Sequence, residues 1–220
     1  MSKVGILLSG CGVNDGAEIH ESVITMLALD RAGAEMVIMA PNIDQMHVIN
    51  HFTGEEMDEV RNVLVEAARI ARGNIRDANT VDSAELDALI LPGGFGVAKN
   101  LSDYAMTGAG CEINPDVFRL VKEVHKAGKP VGVMCIAPTV MAKILGEIEE
   151  SAKLTIGSDK NTASDIEVMG SEHILCPVDD IVVDQKMKIV STPAYMEAHS
   201  IKEAAVGIEK LVSAVLELAN

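Results

Sequence analysis

The sequence predicts an α/β fold built on a largely parallel sheet with helices on both faces. Three observations carry this. Short apolar runs alternate with stretches of helical period from the N-terminus onward, and glycine or proline turns close most of the apolar runs. No shift in composition divides the 220 residues, 48% of which are hydrophobic, so one domain spanning residues 1–220 can bury a full core.

Val4–Leu8 reads as a buried first strand. After a glycine-rich loop, Ile19, Val23, Met26, Leu27 and Leu29 recur at helical spacing, and Gly33 supplies the stop. Glu35–Ala40 is the second strand. Thr53-Gly-Glu-Glu56 has the form of a capping box, ahead of a stripe of Val60, Val63, Leu64, Ala67 and Ile70 that ends at Gly73. Asp87–Leu91 runs as a strand into Pro92-Gly-Gly-Phe-Gly96. Asn114-Pro115 then caps a helix that ends near Gly128. Val131–Met134 is a short strand, and Pro138 suits the first turn of the next helix, which puts Cys135 on the turn between them. Beyond Gly146 the pattern weakens into β-like runs at Leu154–Ile156, Ile181–Val183 and Lys188–Ser191, some of them expected to pair antiparallel. Ser200-Ile-Lys-Glu203 opens an amphipathic C-terminal helix through Leu218.

Composition excludes several functions. Eighteen basic against 33 acidic residues give a net charge of −15, which repels phosphate backbones and anionic membrane surfaces. Aromatic residues are 2% of the chain, too few for base-stacking platforms. Nucleic acid and membrane are therefore not expected as partners. No apolar run approaches the ~20 residues of a membrane span, and Gly10, Gly12 and Gly16 cut the first one short of a signal-peptide core. The four cysteines, at 11, 111, 135 and 176, form no CxxC pair and read as free thiols of a reducing, cytoplasmic compartment. His47 and His51 can share a helix face but lack a third ligand, so no metal is expected. The loop Ser9–Gly16 has GxGxxxG spacing, and the second strand ends Met39-Ala-Pro41 without an acid for a ribose. NAD does not fit, Walker spacing is absent, and no cofactor is expected.

Open parallel sheets bind ligands beyond the C-terminal ends of their strands, where Ser9–Gly16, Pro92–Gly96 and Cys135–Pro138 converge. A cysteine on such a turn faces the crevice, and the dipole of the following helix favours thiolate. Gly93 and Gly94, with the amide of Ile136, can offer N–H groups to an oxygen that turns negative when sulfur adds to a carbonyl. The alternative is a plain tight turn beside a small buried hydrophobe, and local patterning leaves both open. Glu18 and Glu21 open the first helix above the same crevice. One of them, buried beside the sulfur, would have a raised pKa and could shuttle a proton.

Leu91-Pro-Gly-Gly94, Asn100-Leu-Ser102 and Val133-Met-Cys-Ile-Ala-Pro-Thr139 resemble the ThiJ/PfpI superfamily. Ser9-Gly-Cys-Gly-Val13, Glu18-Ile-His-Glu21, Cys176-Pro-Val-Asp-Asp180 and Thr192-Pro-Ala-Tyr-Met196 extend the resemblance to the glyoxalase-like ElbB subgroup over essentially the whole chain. It implies a flavodoxin-like, three-layer α/β/α sandwich akin to class I glutamine amidotransferases. It further implies Cys135 as nucleophile, Glu21 as its hydrogen-bonded glutamate with Glu18 a bystander, and a homodimer. The implied activity is a cofactor-free, glyoxalase III-type hydro-lyase. The sulfur adds to glyoxal or methylglyoxal, Glu21 moves a proton between carbons, and hydrolysis releases glycolate or lactate. The histidine relays of other members are missing: Ile136 follows the cysteine, Glu197-Ala-His199 runs in reverse order, and Leu154–Gly157 holds no histidine. The alternatives are a non-catalytic, redox-responsive or partner-binding protein linked to isoprenoid biosynthesis, and an amidotransferase-like subunit.

Overall fold

The computed structural model describes residues 2–220. In chain order its elements are β1 (Lys3–Leu7), α1 (Ile19–Arg31), β2 (Glu35–Ala40), α2 (Val63–Ile70), β3 (Arg76–Asp77), β4 (Ala88–Leu91), α3 (Phe95–Lys99), α4 (Tyr104–Thr107), α5 (Pro115–Lys126), β5 (Val131–Met134), α6 (Ala137–Glu147), β6 (Lys153–Leu154), α7 (Lys160–Val168), β7 (Glu172–His173), β8 (Val182–Asp184), β9 (Ile189–Thr192) and α8 (Ile201–Ala219).

Seven strands form one sheet in the order β3-β2-β1-β4-β5-β9-β8, parallel throughout except for β8, which runs antiparallel to β9. The chain leaves β1 toward one edge and returns at β4 to build the other, so the order reverses between β1 and β4, beside β5. Ligand crevices of open α/β sheets form at such a point. The inner strands are apolar on both sides because helices cover both faces, whereas the edge strand β3 is Arg76–Asp77. Val4, Ile6, Ile38 and Ile90 pack with Leu29 of α1, Val63 of α2 and Ile208, Leu211 and Val215 of α8. Leu7, Met39, Leu89 and Val133 pack with Leu120 and Val124 of α5 and Val140 and Ile144 of α6. This is the expected three-layer, flavodoxin-like sandwich.

Three local expectations are corrected. The helix read from Thr53 starts ten residues later, at Val63, where Asn62 Oδ1 accepts from Val65 N–H at 3.0 Å. Residues 49–56 instead fold back on themselves through the antiparallel bridge Ile49–Glu56, with Gly54 at φ +78°. Thr53 Oγ1 serves Glu55 N–H in that turn. Val60, assigned to the apolar stripe, is exposed. The run Leu154–Ile156 shrinks to β6, which pairs in parallel with β7 in a separate two-stranded sheet. Helix α7 has no counterpart in the sequence reading because Ile166 is the one fully covered apolar side chain it contributes, too little for a periodic signal. Ser200 caps α8 as expected, accepting from Glu203 N–H at 3.3 Å. The Glu203 carboxylate takes the His199 N–H rather than completing the reciprocal box.

Candidate active site

Cys135 connects β5 to α6 with φ +57°, in the left-handed region that costs a non-glycine residue about 1–2 kcal/mol. The turn is held by the Cys135 N–H donating to Thr192 O at 3.1 Å and by Pro138 in the first turn of α6. The side chain is thereby turned out beyond the strand end. A strained residue over-determined by its surroundings is a frequent mark of a functional position.

Two glycine loops close around it. A methyl group on Gly93 would lie 2.9 Å from Cys135 Sγ and 2.8 Å from Glu21 Oε2, so only glycine lets the backbone pass between these side chains. Gly94 has φ +97°, and its neighbours Phe95 and Gly96 donate their N–H groups to Val13 O at 2.8 Å and Gly16 O at 2.9 Å. Asn100 ties the two loops together. Its amide donates to Ser9 O and Asp15 O, both at 2.9 Å, while its Oδ1 accepts from Met46 N–H at 3.0 Å. His51 adds a further tie by accepting from Asn14 N–H at 3.1 Å and pointing its other ring nitrogen at Ile49 O.

Glu21 is wholly buried. Its Oε2 accepts from Gly93 N–H at 2.8 Å and its Oε1 from Tyr195 N–H at 3.1 Å. Burial is the largest influence on its carboxyl and lifts it to about 7, against the pull of those two N–H groups. Glu18 faces its own helix: it N-caps α1, with Oε2 accepting from Glu21 N–H at 2.7 Å. The thiol of Cys135 is pushed well above the ordinary range, first by burial and then by the charge of Glu21. The N–H groups of Gly94 and Ile136, directed at the sulfur, pull the other way without prevailing.

Two expectations change here. The end of α6 does not make Cys135 a resting thiolate, because desolvation outweighs the helix dipole. Gly93 gives its N–H to Glu21 and has none left for a developing oxyanion; Gly94 and Ile136 are the donors that face the sulfur. Among the other relay candidates, Glu197 is engaged by the N–H and hydroxyl of Ser158, both at 2.5 Å, and His199 is exposed. A histidine arrives from elsewhere. His20, one residue before Glu21 on α1, places Nδ1 2.8 Å from the hydroxyl of Tyr195, the residue whose backbone holds Glu21. The run Glu18-Ile-His-Glu21 contained this histidine, but its partner lies 175 residues away and no sequence signal joins them.

A cavity of about 400 Å³ opens beside the sulfur, lined mainly by apolar and aromatic side chains including Phe95, Tyr104, Ile136, Tyr195 and Met196. Among the described residues, no group of three His, Cys, Asp or Glu side chains is arranged to hold a metal ion, and no helix is long and apolar enough to cross a membrane. The four cysteines are unpaired.

The DJ-1/PfpI family model matches residues 11–155, a span that contains Glu21, Gly93, Gly94, Cys135 and Ile136. The chain belongs to the DJ-1/PfpI family. It is 45% identical to the human mitochondrial protein called glutamine amidotransferase-like class 1 domain-containing protein 3, over 99% of this chain and 83% of that one. The crystal structure of an isoprenoid biosynthesis protein with an amidotransferase-like domain from Ehrlichia chaffeensis superposes with a TM-score of 0.91 at 39% identity, covering 98% of this chain and 99% of that one. Glyoxalase III from Candida albicans shares the fold, with a TM-score of 0.61 at 15% identity over 97% of each chain. The expected cytoplasmic location is corrected by these relatives. The human protein and the ES1 proteins of rat (45% identical, covering 99% of this chain and 84% of that one) and zebrafish (35%, covering 89% and 77%) are all named as mitochondrial. Unpaired cysteines do not distinguish one reducing compartment from another.

Proposed function

We propose that this protein is a cofactor-independent glyoxalase-type enzyme of the ElbB subgroup, acting on a small 2-oxoaldehyde through Cys135 and Glu21. The observation that carries the reading is the closeness of the buried Glu21 carboxyl and the Cys135 sulfur on either side of Gly93, where no other residue fits. The likeness in fold to a glyoxalase III is consistent with it.

The resting thiol is neutral, and Glu21, with a pKa near 7, takes its proton as the S–C bond to the aldehyde carbon forms. The carbonyl electron pair moves onto oxygen, where the Gly94 and Ile136 N–H groups offset the charge until that oxygen is protonated. Removal of the proton from the aldehyde carbon gives an enediol-like species, and reprotonation at the neighbouring carbon gives a 2-hydroxyacyl thioester. Water then cleaves the thioester, releasing the 2-hydroxy acid and restoring the thiol. The net change is oxoaldehyde plus water to hydroxy acid, with no outside oxidant or reductant. Tyr195 contacts Glu21 through its backbone, and its side chain, on the cavity wall, meets the half-exposed His20, a route for protons between the cavity and solvent.

Purified wild-type and Cys135→Ser proteins, compared for consumption of glyoxal and methylglyoxal, test the reading. The wild type should produce glycolate and lactate and the variant should not; equal rates would remove the basis for the assignment. An amidotransferase-like subunit is the second reading, favoured by the names of the human and Ehrlichia relatives. Cys135-dependent release of ammonia from glutamine would put it first. One domain over residues 1–220 and a homodimer complete the proposal. Ile19, Val23 and Leu27, spaced four apart on α1 and each more than two-fifths exposed, form an apolar stripe that a second copy would cover.

A further inference from the structure

The cavity beside Cys135 is large for a three-carbon substrate. Methylglyoxal has about five heavy atoms, and even at the ≈30 Å³ that a water molecule takes in the liquid for each it fills only about 150 Å³, well under half of the ≈400 Å³ present. The remaining space is bounded by Val13, Phe95, Ala98, Tyr104, Ile136 and Met196, walls that leave water few partners and suit an apolar group. No lysine or arginine lines the cavity. Its one ionisable lining side chain besides the cysteine and tyrosines is Asp159, whose carboxyl is held low by the Thr162 N–H it caps and which is therefore an anion at neutral pH.

We propose that the Cys135 site takes a neutral oxoaldehyde bearing a branched or aromatic side chain, in preference to glyoxal, methylglyoxal or any carboxylated aldehyde. This rests on the thiol-addition reading above and names its substrate class. The reactive end is the same for all: Cys135 S–H adds across the aldehyde C=O, the S–C bond forms as the π bond breaks, and the thiol proton ends on the oxygen by way of Glu21. Selectivity comes from the other end of the substrate, which packs against Phe95 and Met196. Asp159 repels a carboxylate on an entering aldehyde and equally favours departure of the anionic hydroxy acid.

Two measurements on the intact protein test this independently. In the first, kcat/KM is compared for phenylglyoxal, methylglyoxal and glyoxylate. The expected order is phenylglyoxal first by at least about tenfold and glyoxylate last. The ratio of phenylglyoxal to methylglyoxal should fall in Ala105→Trp, which narrows the cavity from an exposed position. In the second, labelling of Cys135 is followed by peptide mass spectrometry, each rate normalised to that of glutathione. N-phenylmaleimide should outpace N-ethylmaleimide, and iodoacetamide should outpace iodoacetate. Asp159→Asn, which keeps the cap of α7, should recover much of the iodoacetate rate. Cys135-dependent turnover that favours methylglyoxal would overturn the substrate class and leave the enzymatic reading intact. Failure to consume any oxoaldehyde, with the labelling preferences as expected, would remove the enzymatic reading and support the ligand class of the cavity. Labelling indifferent to both size and charge would overturn the inference whatever the turnover.

Discussion

Replacing Glu21 with glutamine should change how stability depends on pH more than it changes stability itself. The carboxyl titrates near 4.5 when solvated and at about 7 when buried in the folded protein. At about 1.4 kcal/mol per pH unit this difference amounts to roughly 3 kcal/mol. The sign follows from which state holds the proton. Between pH 4.5 and 7 the folded protein keeps it and the unfolded chain has lost it, so the contribution of Glu21 is fully present below pH 4.5 and is lost as pH rises through 7. In Glu21→Gln this slope disappears. A fixed cost replaces it, because one of the two N–H donors, Gly93 or Tyr195, must then face an amide NH₂, at about 1–3 kcal/mol. Urea unfolding from pH 5 to 8 should show the wild type ahead at pH 5 and the curves crossing before pH 8, where the variant leads, a swing of about 2.5 kcal/mol in the difference. Other titrations cancel in the difference. Parallel curves across the range would refute the assignment of a raised pKa to Glu21.

Further outcomes follow from the same geometry. Asn100→Ala removes three hydrogen bonds that join the loops beneath the site and should cost about 2–4 kcal/mol in urea unfolding, with a larger fractional loss of Cys135-dependent turnover. Gly93→Ala forces a methyl group between Cys135 and Glu21 and should abolish Cys135-dependent turnover even where circular dichroism shows the chain folded. Tyr195→Phe keeps the backbone contact to Glu21 but breaks the link to His20. It should lower kcat with little change in KM, and buffer amines should restore part of the loss. Val23→Glu places a charge in the apolar stripe of α1 and should shift sedimentation toward monomer.

Much of this protein can be read from its sequence because its strands are buried on both faces. Residues 36–40, behind the exposed Glu35, and Val131–Met134 are apolar runs closed by proline and cysteine, and both fall where the pattern puts them. Asn114-Pro115 and Asp159 cap helices by local side-chain chemistry, yet only the first is followed by an apolar stripe strong enough to see. Thr53-Gly-Glu-Glu56 misleads because a capping box and a tight turn draw on the same residues, and the pairing of Ile49 with Glu56 decides between them. Within the site, the turn at Cys135 and the need for glycine at 93 have local signatures. The commitment of the Gly93 N–H to Glu21, and the pairing of His20 with Tyr195, depend on loops brought together from opposite ends of the chain. The protonation of Cys135 was hidden for a related reason. The dipole of α6 is visible in the sequence, but the desolvation that outweighs it exists only once both faces of the sheet are covered.

The most direct test of a thiol driven by its neighbouring carboxylate is the pH dependence of Cys135 alkylation by iodoacetamide in the wild type and in Glu21→Gln. With Glu21 as the base, the wild-type rate should rise with an apparent pKa near 7, and the variant should react only at distinctly alkaline pH. A variant that reacts at pH 7 as fast as the wild type would contradict the pairing of Cys135 with Glu21.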